Sequence, residues 1–188
     1  MVDTESDETR LGTFASISRA TPLERGSQAA RRRRLAQAAG RVALLEPAVR
    51  VMTDFTREPP VTVAVDSRID DALLVMIEAG VRALFAMRGD VAVGLITSYD
   101  IMGDRVTKFL RSEGITGRSE IKVSHVMTPG DAVPAIDVPW LALATVADVR
   151  ERFERTGASH FVVLEYADHD VVVVRGMFSR AEVERRLE

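Results

Sequence analysis

Gly94-Leu95-Ile96-Thr97-Ser98-Tyr99-Asp100 has a counterpart 82 residues further on, Gly176-Met177-Phe178-Ser179-Arg180-Ala181-Glu182. Ahead of each stands the tripeptide Val-Met-Thr, at Val51-Met52-Thr53 and, 75 residues later, at Val126-Met127-Thr128. A step of that size marks duplication of one small unit, because solenoids repeat more often and at shorter period. Two similar half-sites across a pseudo-symmetric fold point to ligand sensing more than to chemistry.

Working outward, Pro60 to Val65 reads as a short strand closed by Asp66. Ser67 then reads as an N-cap, with Asp70 three positions on. Ile69, Ala72, Leu73, Met76 and Ile77 recur at helical spacing until Gly80. Leu84 to Met87 and Val91 to Ile96 are apolar runs parted by Arg88-Gly89-Asp90, a hairpin signal. A further helix is expected after Thr97, running past Phe109. The second unit repeats this order. Ala132 to Val138 supplies its strand, and Thr145 with Asp148 caps a helix that turns Val146, Val149 and Phe153 inward and stops at Gly157. His160 to Leu164 and Val171 to Val174 form its hairpin, and Ser179 opens the last helix. Gly157 to Gly176 spans 19 residues against 14 from Gly80 to Gly94, which places a longer hairpin loop at Glu165 to Asp170.

The fold class is therefore α+β, two strand-helix-strand-strand-helix (βαββα) units that share a core because each alone buries too little. The first repeat is assigned to 41–112, and a linker with the second repeat to 113–188. Residues 1–40 precede them: a polar flexible tail to about residue 26, then a basic helix from Ser27 to Ala39 closing at Gly40.

Composition sets the outer limits. The chain of 188 residues is 46% hydrophobic, enough for a real core, and its net charge of −3 is too small for a polyanion-binding surface. With no cysteine, disulfides, thiolate metal sites and a cysteine nucleophile are excluded. The leading residues are acidic where a secretory signal would be basic, and no apolar run approaches the roughly 20 residues that span a bilayer. These features fit a soluble, cytoplasmic protein.

The Gly-x-x-Thr/Ser-x-x-acid signature has two readings. In one it only caps a helix: Thr97 or Ser179 is the N-cap, and Asp100 or Glu182 at the third helical position reaches back to it. In the other, backbone N–H groups and the hydroxyl meet a phosphate while the carboxylate accepts from ribose hydroxyls. A single occurrence favours the cap, and recurrence at equivalent points of a repeat favours the ligand.

From about Pro47 to Leu187 the chain resembles a tandem pair of cystathionine-β-synthase (CBS) domains, the Bateman module. The resemblance is carried by the two Val-Met-Thr tripeptides, by GVRALFAM and GASHFVVLE, and by GLITSYD and GMFSRAE. It implies two βαββα units packed by pseudo-twofold symmetry into a homodimer-forming regulatory module. Its clefts would bind AMP, ADP, ATP or S-adenosylmethionine as regulatory ligand, with no cofactor required and no catalytic residue. By the same resemblance Thr97 and Asp100 form one site, and Ser179 and Glu182 the other. Val81, Arg82 and Ala83, then Ser159 and His160, would line the base and phosphate regions. The sequence departs from the family at Phe85 and Val162, where a proline is usual, and at Glu182, where Asp is commoner. The first site is thus the better nucleotide candidate.

His125, His160 and His169 stand apart without metal-ligand spacing, so no metal site is expected. For His160 two readings are open, a phosphate-binding imidazolium and a packed histidine in an apolar strand. Trp140 reads as a packing or dimer-contact residue. Arg31 to Arg34 could attract phosphate, yet aromatic interleaving is missing and acids lie nearby, which weighs against nucleic acid and for a solvated or partner-facing helix. There is no Gly-x-Ser-x-Gly turn, His-Glu-x-x-His pair or phosphate-loop glycine pattern, so no enzyme is read here. A regulatory module signalling to a protein partner leads, and a ligand-free homodimeric scaffold is the alternative.

Overall fold

The computed structural model describes residues 16–17, 40–114, 116–167 and 171–187. The first unit runs as expected. Strand β3 (Thr62–Ala64) leads to helix α1 (Ile69–Ala79), then β4 (Ala83–Arg88), β5 (Val91–Thr97) and α2 (Ser98–Met102). The second runs β7 (Ala135–Asp137), α6 (Val146–Thr156), β8 (His160–Ala167), β9 (Val171–Ser179) and α7 (Arg180–Leu187). In each, the first strand lies parallel to the second and the hairpin is antiparallel. Between the units come α3 (Asp104–Glu113), α4 (Val123–Val126) and β6 (Thr128–Pro129); α5 (Val138–Leu143) is inserted in the second. Two short strands precede the first unit, β1 (Ser16–Ile17) and β2 (Thr53–Asp54). Within the segment expected as a flexible tail, β1 pairs in parallel with Val173 and Val174 of β9. The basic helix of Ser27 to Ala39 lies outside the described residues.

The equivalence of the halves extends to irregularities. Both hairpins carry a bulge, at Ala86/Met87 and at Val163/Leu164, which leaves Val93 and Arg175 as the extra residues. Both long helices end at a left-handed glycine, Gly80 (φ 66°) and Gly157 (φ 68°).

Each half is completed by the segment that leads the other. Thr53 and Asp54 pair with Met177 and Gly176 of the second hairpin, and Thr128 and Pro129 pair with Leu95 and Gly94 of the first. The cores are mixed in the same way. Ile121, Val123 and Val126 are buried with Ile69, Met76, Leu84 and Ile96 of the first half. Val42, Ala48 and Val51 are buried with Ile136, Val146, Phe153 and Phe178 of the second. Removing side chains such as Val51 and Val126 from water contributes about 1.5–3 kcal/mol each. A third core joins the backs of the two sheets, with Phe85, Leu95, Val162, Leu164 and Val174 at its centre. Phe55 meets Phe85 edge-on there, at 5.6 Å between ring centroids.

The recurring glycines follow from these crossings. A Cβ on Gly94 would sit 2.5 Å from the Thr128 carbonyl oxygen and 3.0 Å from the Met127 sulfur. On Gly176 it would sit 2.6 Å from the Thr53 carbonyl oxygen and 2.8 Å from the Met52 sulfur. Each Val-Met-Thr thus lies against the signature glycine of the other half.

Several local expectations are corrected. The N-cap position of α1 is Arg68, not Ser67, and no side chain caps it. Ser67 is engaged through its carbonyl by Val123 N–H at 2.9 Å, another tie to the crossing segment. The single helix expected past Phe109 is two, α2 and α3, because Gly103 is extended (ψ −166°) with its N–H on the Tyr99 carbonyl at 2.8 Å. A side chain there would strike that carbonyl at 2.5 Å. The extra residues of the second hairpin go chiefly into its strands, eight and nine residues against six and seven.

Candidate functional site

At the first signature β5 turns into α2 through a complete capping box. Thr97 is extended (φ −115°, ψ 162°), so its side chain faces the open helix end. Its N–H and Oγ1 donate to Asp100 Oδ2 at 2.8 and 2.7 Å, and Oγ1 in turn accepts from Asp100 N–H at 3.3 Å. Thr97, Ser98 and Asp100 are all buried, an unusual concentration of polar groups beside the inter-sheet core. The other carboxylate oxygen, Oδ1, pairs with Arg105 Nη1 at 3.2 Å. Arg105 also donates to the Val126 carbonyl at 3.1 Å and the Thr128 hydroxyl at 2.9 Å. Sequence reading missed Arg105, because α3 is separated from the signature by the break at Gly103.

Val81, Arg82 and Ala83 lie beside this turn. Ala83 pairs with Thr97, and the Arg82 carbonyl accepts from Ser98 N–H at 2.9 Å. Their side chains part company, since Ala83 is buried between the sheets, Val81 leans on the first core and Arg82 is exposed.

The second signature is built alike but filled differently. His160 pairs with Ser179, and the Ser159 carbonyl accepts from Arg180 N–H at 2.9 Å. Glu182 is turned to Arg185, whose Nε and Nη2 reach it at 3.0 and 2.5 Å. Arg180, where the first half has Ser98, lies over the Phe153 ring at 5.7 Å and donates to the Phe153 carbonyl. His160 is 4% exposed, with Nδ1 3.0 Å from Ser159 Oγ. Burial first, and the charge of Arg82 second, push its pKa down to about 4. A buried imidazole of that pKa is neutral near pH 7, in keeping with the packed reading.

The remaining candidates have structural surroundings. Trp140 packs on the second core beneath the Arg152 guanidinium, 5.1 Å from its ring centroid. His125 stacks on Phe109 at 4.4 Å. His169 and Arg31 to Arg34 lie outside the described residues. Among the described residues no group of three or more His, Cys, Asp or Glu is placed to hold a metal, and no helix is long and apolar enough to cross a membrane.

Comparison with known proteins places this architecture. Residues 51–105, which include Thr97, Asp100 and Arg105, match the CBS domain family model. No curated protein matches the sequence. Among solved structures, an uncharacterised conserved protein of Pyrococcus horikoshii superposes with a TM-score of 0.53 at 17% identity, over 77% of this chain and 93% of that one. A CBS-domain-containing protein of Agrobacterium tumefaciens gives 0.50 at 18% identity, over 72% and 93%. A Methanocaldococcus jannaschii protein proposed as an archaeal homologue of γ-AMPK gives 0.51 at 14% identity, over 86% and 53%.

Proposed function

We propose that the chain is a tandem pair of CBS domains, a regulatory module binding an adenine nucleotide at the Thr97–Asp100 turn and signalling to a protein partner. The observation that carries this reading is the Asp100 carboxylate, buried and oriented by its own cap while Oδ1 faces the half-exposed Arg105. A fixed acceptor of that kind suits ribose hydroxyls, and Thr97 with the neighbouring N–H groups suits a phosphate. The dipole of α2 adds little, since the helix has five residues. Val81 and Arg82 flank the same turn. The second signature is the weaker site, because both carboxylate oxygens of Glu182 already accept hydrogen bonds from Arg185, whereas Oδ1 of Asp100 has only an ion pair. Ser159, Ser179 and a neutral His160 offer hydrogen bonds there but no cation.

Calorimetry of the purified chain with AMP, ADP, ATP and S-adenosylmethionine tests the reading. Heat with at least one ligand, reduced by Asp100→Ala, is the expected result. Silence at millimolar ligand leaves the scaffold reading, in which the capping boxes only cap.

We also propose that the module is a homodimer joined through the first half. Leu74, Ile77, Tyr99 and Met102 are 57–66% exposed on α1 and α2. Counting from the shared glycine and cap positions, their equivalents are Glu151, Glu154, Ala181 and Glu184. The same fold therefore carries an apolar surface on one half and a charged one on the other, so the apolar surface is not a requirement of the fold.

A further inference from the structure

The acid of the first signature is already engaged on both oxygens, by hydrogen bonds on Oδ2 and by an ion pair on Oδ1. A carboxylate offers about four lone-pair sites. The cap of α2 uses two of them on Asp100 Oδ2, and Arg105 Nη1 lies 3.2 Å from the other oxygen, Oδ1, as an ion pair whose N–H groups point to Val126 and Thr128 instead. Adjacent ribose hydroxyls bring two donors, and both must approach Oδ1, beside which the Arg105 guanidinium already sits. The same guanidinium nitrogen bonds the Val126 carbonyl and the Thr128 hydroxyl, which belong to the second crossing. One side chain therefore joins the signature acid to the strand that completes the first sheet.

The second half provides an internal control. There Arg186 ties the final helix to the first crossing segment, donating to the Arg50 carbonyl and to the Gly40 carbonyl at 3.3 and 3.1 Å. The signature acid of that half, Glu182, is hydrogen-bonded by a different residue, Arg185. Holding a crossing with arginine thus does not require that arginine to pair with the acid, and the Arg105–Asp100 ion pair calls for another explanation.

We propose that Arg105 is a built-in competitor for the ribose diol at Asp100, and that its displacement loosens the second crossing and so carries the signal. The proposal rests on the nucleotide reading of this site. Arg105 is half exposed, so the freed guanidinium returns to water at small cost and the contact sets a threshold without closing the site.

The test is titration of the full chain, Arg105→Ala and Arg105→Gln with AMP and with 2′-deoxy-AMP. Both variants are expected to bind AMP roughly two- to fivefold tighter than the parent, the scale of one partly exposed ion pair. With 2′-deoxy-AMP, whose single remaining hydroxyl can reach Oδ1 on the side away from the guanidinium, the gain should vanish. Thr128→Val, which removes one anchor of Arg105 and leaves Asp100 untouched, should shift AMP affinity in the same direction. Hydrogen exchange at Met127 and Thr128 should quicken when AMP binds the parent. If the parent binds AMP but the variants bind it equally or more weakly, competition is overturned while the nucleotide reading stands. Unchanged exchange at the crossing overturns the transmission step. If neither parent nor variants bind AMP, ADP, ATP or S-adenosylmethionine, the nucleotide reading fails and the proposal with it.

Discussion

Gly94 lies directly against Thr128: any side-chain carbon on the glycine would meet the threonine carbonyl oxygen at 2.5 Å. Gly176 and Thr53 repeat the relationship at 2.6 Å. Gly94→Ala and Gly176→Ala should each lower stability by about 1–3 kcal/mol, the usual cost of overpacking a filled site. Denaturant melts of the two variants check this. If the obstructing atoms were side-chain tips the cost would be small, but in each case the nearest atom is backbone.

The two capping boxes separate a structural role from a binding one. Thr97–Asp100 and Thr145–Asp148 have the same hydrogen bonds, at 2.6–2.8 Å to the acid and 3.3–3.4 Å back to the hydroxyl. Thr97→Ala and Thr145→Ala should each cost about 1 kcal/mol of stability. Only Thr97→Ala should also weaken nucleotide binding, as read by calorimetry. Equal affinities in both variants would leave Thr97 a cap and nothing more.

How much of this was legible beforehand depended on whether a signal was local. The helix stops at Gly80 and Gly157 and the Thr145 cap are written within a few residues, and they stand where expected. The tripeptides and glycines announced a repeat, but nothing in a linear string says that Thr53 pairs across the molecule with Met177 and not with its own hairpin. That choice is made by the inter-sheet core, which brings the back of one hairpin to the leading strand of the other. Arg105 was invisible for a related reason, since its partners Asp100, Val126 and Thr128 come together only after α3 folds back. Gly103 could have been read as a break, though a glycine inside a helical pattern is as often tolerated.

Acid sensitivity follows from His160. Its folded pKa of about 4 lies below the ordinary 6.5, so the folded state binds the proton more weakly than the unfolded chain. Stability is full above pH 6.5 and is lost as pH falls toward 4, by about 3 kcal/mol from this group. His160→Gln should flatten that part of the profile relative to the parent. Arg82→Gln should flatten it less, because burial is the larger cause and the Arg82 charge the smaller.

Assembly is tested by charge. Leu74→Glu with Ile77→Glu copies onto the first half what Glu151 and Glu154 already present on the second. Sedimentation of the double variant should give a monomer where the parent gives a dimer, with the melting temperature little changed. A dimer that survives both substitutions places the contact elsewhere.

The crosswise completion of the sheets also orders events during synthesis. The first sheet closes when Thr128 emerges to meet Leu95, a partner made shortly before. Thr53 must wait for Met177, which is made 124 residues later. Val42, Ala48 and Val51 therefore remain without their final partners until the second half has been made. A ribosome-bound chain stalled between the halves would expose one finished sheet and one apolar leader, so the leader is where a chaperone would act on this protein.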